Sequence, residues 1–204
     1  MTPPSGAVRA LLEQARGAGF LGPGSLGDHV TSATAFLLAA GEPPRRALDL
    51  GSGGGVPGLL LAEWWAETEM ALLDRSHRRA AFLRRAVLEL GWAERVAVVH
   101  ADAEVAGRDP ALRATVDVVT ARSFGPPAVV AECGAPFLRP GGRLLVAEPP
   151  QHTGRWPADA LERVGLTVAQ VVAAPARVQV LELRRPVDAR YPRRPGIPAK
   201  RPLW

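Results

Sequence analysis

Five apolar runs of strand length alternate with helical patterns through the middle of this chain, and this alternation limits the possible fold more than any other feature. Continuous apolar strands separated by helices are typical of a parallel sheet that is buried on both faces. The chain ends differently, because its last two strand-like runs are joined through Pro175 with no room for a helix. The predicted strands are Arg46–Leu50, Glu69–Leu73, Val96–His100, Val116–Ala121, Arg143–Ala147, Leu166–Ala174 and Arg177–Leu183.

Helical patterns fill the spaces between the first five predicted strands, and two further helices precede the first strand. A glycine-rich stretch, Gly17–Gly27, separates these two helices, and Asp28 is predicted to cap the second. We therefore predict an α/β fold with a mostly parallel seven-stranded sheet, a C-terminal antiparallel hairpin and helices on both faces. The predicted helices are Ala7–Arg16, His29–Ala40, Val56–Glu67, Ser76–Leu90, Glu104–Arg113 and Pro127–Phe137.

A length of 204 residues suits one α/β domain. We expect residues 1–44 to form a helical segment packed on a core of residues 45–185, with residues 186–204 as a tail. No apolar run is long enough to span a membrane, and the N-terminus lacks the pattern of a signal peptide. The single cysteine, Cys133, fits a reducing compartment, and the scattered histidines offer no metal cluster. We therefore expect a cytoplasmic, metal-free protein, and we expect a monomer.

The net charge of +5 is concentrated at the C-terminus. Residues 184–204 carry seven basic side chains, one acidic side chain and five prolines. The prolines predict an extended segment without a helix, and the charge favours contact with phosphate groups. We expect Arg193 and Arg194 to bind the phosphates of a nucleic acid. The alternative is that the tail packs on the sheet edge and pairs its arginines with acids such as Glu162 or Glu182.

A glycine-rich loop follows the first predicted strand and leads into a helix. Glycine lets the backbone turn sharply and approach a ligand closely, with helix N–H groups pointing at that ligand. The loop can be aligned in two registers. The first matches the fingerprint of dinucleotide-binding domains, which is a weak signal alone, and the second places an acid two residues before the first glycine. The two registers are Gly53-x-Gly55-x-x-Gly58 and Asp49-x-Gly51-x-Gly53-x-Gly55.

The acid of the second register favours S-adenosylmethionine over a nicotinamide or flavin nucleotide. The carboxylate of Asp49 can accept hydrogen bonds from the ammonium of a methionine moiety, whereas it would repel a pyrophosphate. Asp74 ends the second predicted strand, where an acid binds ribose hydroxyls in both cofactor classes, so it does not discriminate. The terminal hairpin does discriminate, because methyltransferases carry it. A glycine loop with a purely structural role is the remaining alternative.

Four stretches of the sequence carry a resemblance to one family. They are residues 49–58 with their Pro-Gly pair, residues 73–83, residues 121–124, and the C-terminal residues 191–198 followed by Pro202 and Leu203. The first stretch is shared by many methyltransferases, whereas the last is typical of a much smaller group of proteins. Together they resemble the GidB family, which methylates N7 of a guanine in small-subunit ribosomal RNA. The resemblance covers about Arg45 to Trp204 and implies a Rossmann-like class I methyltransferase fold, S-adenosylmethionine as cofactor and the small ribosomal subunit as partner.

The resemblance also implies roles for individual residues. Gly51 and Val56 would line the methionine and ribose side of the cofactor, Ala103 and Glu104 would meet the adenine, and Arg122 would lie beside cofactor or substrate. Structural alternatives stay open, since Val56 can be a core residue and Glu104 can stabilise a helix N-terminus. The predicted cofactor-binding residues are Asp49, Gly51, Ser52, Gly53, Gly55, Val56, Asp74, Ala103, Glu104 and Arg122, and Arg122 is also the predicted catalytic residue.

Methylation of guanine N7 makes few chemical demands on the protein. The nitrogen carries a lone pair and no proton, so no general base is required, and catalysis reduces to positioning. A guanidinium beside a guanine that gains positive charge would oppose the reaction. We therefore expect Arg122 to contact a phosphate or the carboxylate of the cofactor.

The sequence departs from the family at three places. The Gly17–Gly27 loop stands where the family has a longer helical segment, Ser32-Ala33 replaces an Asp-Ser pair, and Glu148 replaces a lysine. The last change reverses a charge beside the expected RNA entrance. Two alternatives to ribosomal RNA methylation therefore stay open: methylation of a small molecule or another RNA, and ribosome binding without catalysis.

Overall fold

Seven strands form one sheet in the computed structural model, which describes residues 3–149 and 154–204. The strands are β1 (Arg46–Leu50), β2 (Glu69–Asp74), β3 (Val96–His100), β4 (Val116–Ala121), β5 (Leu138–Ala147), β6 (Leu166–Val172) and β7 (Val178–Leu183). Their order is β3-β2-β1-β4-β5-β7-β6. Strands β1 to β5 are parallel, and β7 is antiparallel to both of its neighbours. The predicted fold class is therefore confirmed.

Helices pack on both faces of this sheet. They are α1 (Gly6–Gly17), α2 (Leu26–Ala40), α3 (Gly58–Trp64), α4 (His77–Glu89), α5 (Ala103–Ala106), α6 (Pro127–Gly134), a 3-10 turn (Ala135–Phe137), α7 (Ala158–Arg163) and α8 (Ile197–Lys200). Neighbouring strand residues such as Val118 and Val119 point to opposite faces and join separate buried clusters. One cluster contains residues of α1 to α4, and the other contains residues of α5 to α7. Among the described residues, no helix is long and apolar enough to cross a membrane.

The two N-terminal helices share the core of the sheet. Val8 and Leu12 of α1 and Phe36 of α2 are fully buried in the same cluster as the α3 residues. Helix α2 begins one turn earlier than predicted, because Ser25 is its N-cap and not Asp28. The Ser25 hydroxyl accepts the N–H of Asp28, and the Asp28 carboxylate accepts the N–H of Ser25. Asp28 thus closes a capping box from the third helical position.

Two short helices were not expected from the sequence. Helix α7 has only six residues before β6, too few for an apolar period to be visible. Helix α8 lies in the proline-rich tail, so the prediction of a tail without a helix was wrong. Its proline, Pro198, is at the second helical position, where the missing N–H breaks no helical hydrogen bond.

The tail returns to the body of the protein through buried polar contacts. Glu132 of α6 is fully buried, and one of its oxygens accepts the backbone N–H and Nε of Arg193, both at 2.8 Å. The other oxygen accepts Nη2 of Arg193 at 2.6 Å. Arg184 pairs with Glu182 at 2.9 Å, and Glu182 is one of the two acids named above as alternative partners of the tail arginines. The guanidinium of Arg193 is thus engaged by Glu132, whereas Arg194 is exposed. Contact of either arginine with RNA phosphate stays a prediction.

We expect Arg193→Ala to lower the free energy of unfolding by about 3 kcal/mol, because it leaves the buried carboxylate of Glu132 without a counter-charge. Urea denaturation at neutral pH measures this loss. Arg194→Ala is the matched control, since it removes the same charge from the neighbouring exposed position and should leave the midpoint unchanged. Equal effects of the two substitutions would contradict a structural role for Arg193.

Candidate functional site

Three neighbouring strands end at one level, and their following residues form one edge of the sheet. Leu50 of β1 is paired with Leu73 of β2 on one side and with Ala121 of β4 on the other. In open α/β sheets, ligands bind outside the carboxyl ends of the strands. The glycine loop, Asp74 and Arg122 directly follow or end these strands, so the register brings them together.

The glycine loop is tied to the end of β2. The backbone N–H groups of Gly51 and Ser52 both donate to the carbonyl of Leu73, at 2.8 and 2.9 Å. Gly51 has a φ of +75°, and a Cβ added to it would lie 2.7 Å from the ring of Phe124. Glycine is therefore required at this position both for its backbone conformation and for the close approach of the aromatic ring.

Asp74 connects the loop to helix α4. One oxygen of its carboxylate accepts the N–H of Gly53 at 2.8 Å, and the other accepts the N–H of Ser76 at 2.8 Å. The residue is 4% exposed and lines the cleft. Each carboxylate oxygen can accept a second hydrogen bond, so Asp74 keeps acceptor capacity for a ligand.

Asp49 lies beneath the loop. The residue is 1% exposed, and its Oδ1 accepts a hydrogen bond from the hydroxyl of Thr120 at 2.7 Å. Its Oδ2 is buried without a hydrogen-bond partner among the described residues. Burial raises the pKa of Asp49 to about 6, against the lowering effect of the hydroxyl of Thr120. The carboxylate therefore supports the loop from below and presents almost no surface to the cleft.

The turn after β4 places three different side chains at the cleft. Arg122 is partly buried, and burial lowers its pKa, while the charge of Asp49 raises it. Ser123 adopts a φ of +55°, a left-handed conformation that is uncommon for a residue with a side chain. Such conformations cluster at functional sites. This turn lets Phe124 fold back over Gly51.

Three adjoining cavities meet at this turn. The first, here called the acidic cavity, has a volume of about 380 Å³ and is lined by Gly51, Asp74, Asp102, Ala103, Glu104 and Phe124, among others. The second, the loop cavity, has about 370 Å³ and is lined by Phe20, Gly22, Ser52, Gly53, Val56 and Arg122, among others. The third, the arginine cavity, has about 330 Å³ and is lined by Arg122, Phe124, Val146, Glu148 and Arg155, among others. Ser123 lines all three.

These cavities adjoin most of the predicted cofactor-binding residues. Those that line a cavity are Gly51, Ser52, Gly53, Val56, Asp74, Ala103, Glu104 and Arg122. Asp49 and Gly55 line none of the three and lie buried behind the loop. Arg193 and Arg194 also line none of them.

The family whose model matches residues 26–161 is described as rRNA small subunit methyltransferase G. A protein of that name from Roseiflexus castenholzii is 38% identical over 188 residues, which cover 86% of this chain and 78% of the relative. Another from Rubrobacter xylanophilus is 36% identical over 191 residues, which cover 86% and 72%. The chain belongs to the rRNA small subunit methyltransferase G family. The family resemblance predicted from the sequence is thereby confirmed.

Solved structures agree on the fold. The O-methyltransferase TomG from Streptomyces achromogenes, in complex with SAM, has a TM-score of 0.65 at 17% identity, covering 91% of this chain and 92% of that one. A methyltransferase from Geobacter sulfurreducens has a TM-score of 0.61 at 17% identity, covering 90% and 92%. The sheet of this family member is therefore the class I methyltransferase sheet.

Several site residues of this methyltransferase were missed by sequence reasoning. Gly196 and Ala199 of the tail line the acidic cavity, and the N–H of Gly196 donates to Glu104 at 3.0 Å. Phe20 and Gly22 bring the N-terminal loop to the loop cavity. Ser123 and Phe124 were part of the family stretch, but no signal in the sequence gave them a role.

Glu148 does not leave an unbalanced negative charge at the cleft. Its side chain is 4% exposed and pairs with Nη1 of Arg155 at 2.8 Å. The replacement of a family lysine by an acid is thus accompanied by an arginine seven residues later. The charge reversal that weakened the ribosomal interpretation is compensated within the cavity itself.

We expect Gly51→Ala to weaken S-adenosylmethionine binding at least about tenfold, because the new methyl group collides with Phe124 at the junction of two cavities. Isothermal titration calorimetry measures the affinity. Gly141→Ala is the matched control, since Gly141 also has a positive φ, +82°, but has nothing within 4 Å of an added Cβ. The Gly141→Ala protein should be destabilised to a similar extent by its backbone conformation and should keep the parent affinity for S-adenosylmethionine. A Gly51→Ala protein that binds normally would contradict this assignment.

The raised pKa of Asp49 predicts that the free energy of unfolding depends on pH. The folded pKa of about 6 lies above the ordinary value of 3.8, so the folded protein holds this proton more tightly than the unfolded chain. The resulting stability is present at low pH and is lost as pH rises through 6. We expect Asp49→Asn, which keeps an acceptor for Thr120, to gain about 2 to 3 kcal/mol relative to the parent between pH 4 and pH 7. Urea denaturation at both pH values tests this, and parallel pH profiles would contradict it.

Proposed function

We propose that this chain transfers a methyl group from S-adenosylmethionine to N7 of a guanine in small-subunit ribosomal RNA, acting as a monomer in the cytoplasm without a metal. The observation that carries the proposal is the junction of three cavities at Arg122, Ser123 and Phe124, within a member of the rRNA small subunit methyltransferase G family.

The acidic cavity suits the adenosine part of the cofactor. Its volume of about 380 Å³ is within the range of small-molecule sites. Asp74 has acceptor capacity for ribose hydroxyls. Ala103 and Glu104 line the same cavity, and one carboxylate oxygen of Glu104 accepts the N–H of Gly196. The apolar walls of this cavity, such as Val129, can contact a planar base.

The loop cavity suits the methionine part. Arg122 can pair with the carboxylate there through a charge-assisted hydrogen bond. Gly51 and Ser123 line both this cavity and the acidic one, so an extended ligand can occupy both. When bound, S-adenosylmethionine supplies an electrophilic methyl group on a positively charged sulfur.

The arginine cavity suits the target base. It shares Arg122, Ser123 and Phe124 with the cofactor cavities, so a base held there lies next to the methyl group. Guanine N7 needs no general base, and the residues that line this cavity do not have to remove a proton. Their task is to hold the nucleophile in line, an effect that contributes up to about 7 to 11 kcal/mol. Phe124 offers a ring on which the target base can stack.

Transfer of tritiated methyl groups tests the proposal directly. Intact small ribosomal subunits, free 16S rRNA and a metabolite extract are each incubated with the protein and labelled S-adenosylmethionine. We expect label in RNA, and cleavage chemistry specific for N7-methylguanosine should identify the nucleotide. Label confined to the metabolite extract would favour a small-molecule methyltransferase, and no transfer to any acceptor would favour a non-catalytic relative.

We expect Arg122→Ala to lower methyl transfer at least about 100-fold, which corresponds to about 2.7 kcal/mol of lost transition-state stabilisation. Its melting temperature should stay close to that of the parent, since the residue follows the last residue of β4. Arg122→Lys keeps the charge without the planar fork, so it should recover only part of the rate. Full activity of Arg122→Ala would make this residue structural.

A further inference from the structure

His29 of α2 is a buried histidine to which no role has been given so far. The residue is 1% exposed, and its two ring nitrogens face different parts of the site. Nδ1 lies 2.7 Å from Nη2 of Arg122, and Nε2 lies 3.2 Å from the carbonyl oxygen of Gly22. Both Arg122 and Gly22 line the loop cavity.

These partners determine the protonation state of the ring. A guanidinium has only donors, so Nδ1 must be the unprotonated acceptor. The carbonyl of Gly22 accepts, so Nε2 must carry the hydrogen. Burial and then the charge of Arg122 lower the pKa of His29, which agrees with a neutral ring. The other charged groups near it are Asp28 on the same helix, which raises its pKa, and Arg16 from α1, which lowers it.

We propose that His29 is a positioning residue that holds Arg122 and the Gly19–Gly22 loop in one arrangement, an assignment that rests on the proposed methyl transfer. One of the five guanidinium donors of Arg122 is engaged by His29, which restricts the rotation of a long side chain and leaves the other donors for the cavities. The N-terminal segment thereby completes the site that the strands β1, β2 and β4 begin.

The two hydrogen bonds of His29 can be separated by substitution. In His29→Asn, the side-chain oxygen lies as many bonds from Cα as Nδ1 does, so it can accept from Arg122 but cannot reach Gly22. In His29→Gln, the side-chain amide lies as far as Nε2 and can reach Gly22. His29→Leu removes both contacts. His77→Leu is the control, since His77 is exposed on α4 and should keep full activity.

We expect His29→Leu to lower kcat/KM for methyl transfer about 10- to 100-fold through misplacement of Arg122. His29→Asn should stay within about threefold of the parent, and His29→Gln should resemble the leucine variant. In an Arg122→Ala background, His29→Leu should have almost no further effect, because the group that it positions is already absent. Losses that simply multiply in the double variant would overturn the proposal, since a general structural role predicts that result.

A second measurement does not depend on activity. Nitrogen-15 NMR of the histidine ring should show the Nε2–H tautomer, and the pKa of His29 should rise in Arg122→Ala, since a neighbouring positive charge has been removed. An unchanged pKa, or the Nδ1–H tautomer, would overturn the His29–Arg122 contact. If the parent protein methylates no ribosomal RNA, the proposed function fails, and the NMR titration still tests this contact.

Discussion

The register of three parallel strands is the constraint on which the site depends. Because Leu50 is level with both Leu73 and Ala121, the chain leaves the sheet at adjacent points after β1, β2 and β4. The glycine loop, the acid at the end of β2 and Arg122 are thereby brought together from positions up to about seventy residues apart in sequence. A slip of one residue in any of these pairings would reverse which face each strand side chain occupies. The buried apolar residues on both faces therefore also fix the geometry of the cleft.

Three of the buried carboxylates of this protein are held in two different ways. Glu132 and Glu148 are each paired with an arginine, and both arginines, Arg193 and Arg155, lie outside the helices and strands. These pairs compensate the cost of removing a charge from water and anchor segments that lack regular structure. Asp49 has no such ion pair within 4 Å among the described residues. Burial raises the pKa of Asp49, and its neutral form can occupy this buried position at low electrostatic cost.

Local patterns predicted the sheet well, whereas long-range contacts were beyond the sequence. The bounds of β1, β3 and β4 agree with prediction, because apolar period and neighbouring turns are local signals. We predicted RNA contact for Arg193 because the basic tail is visible in the sequence. The contact with its buried partner Glu132, sixty-one residues earlier, is not visible there. His29 gave no signal for the same reason, as Arg122 is ninety-three residues away. Whether a charged side chain is exposed depends on which distant residues the folded chain brings next to it, and composition does not contain that information.

The Gly17–Gly27 loop, one of the expected departures from the family, also forms a wall of the site. Phe20 and Gly22 belong to the Gly17–Gly27 loop and line the loop cavity, and the guanidinium of Arg78 lies 5.7 Å from the ring centre of Phe20. This loop contributes backbone and an aromatic ring, while charged groups of the cleft come from residues that end or follow the strands, such as Asp74 and Arg122, and from Arg79 of α4. Sequence change in the loop can therefore alter the shape of the entrance without removing Asp74 or Arg122. Through its contacts with Gly22 and Arg122, His29 connects this wall to the residue that follows β4.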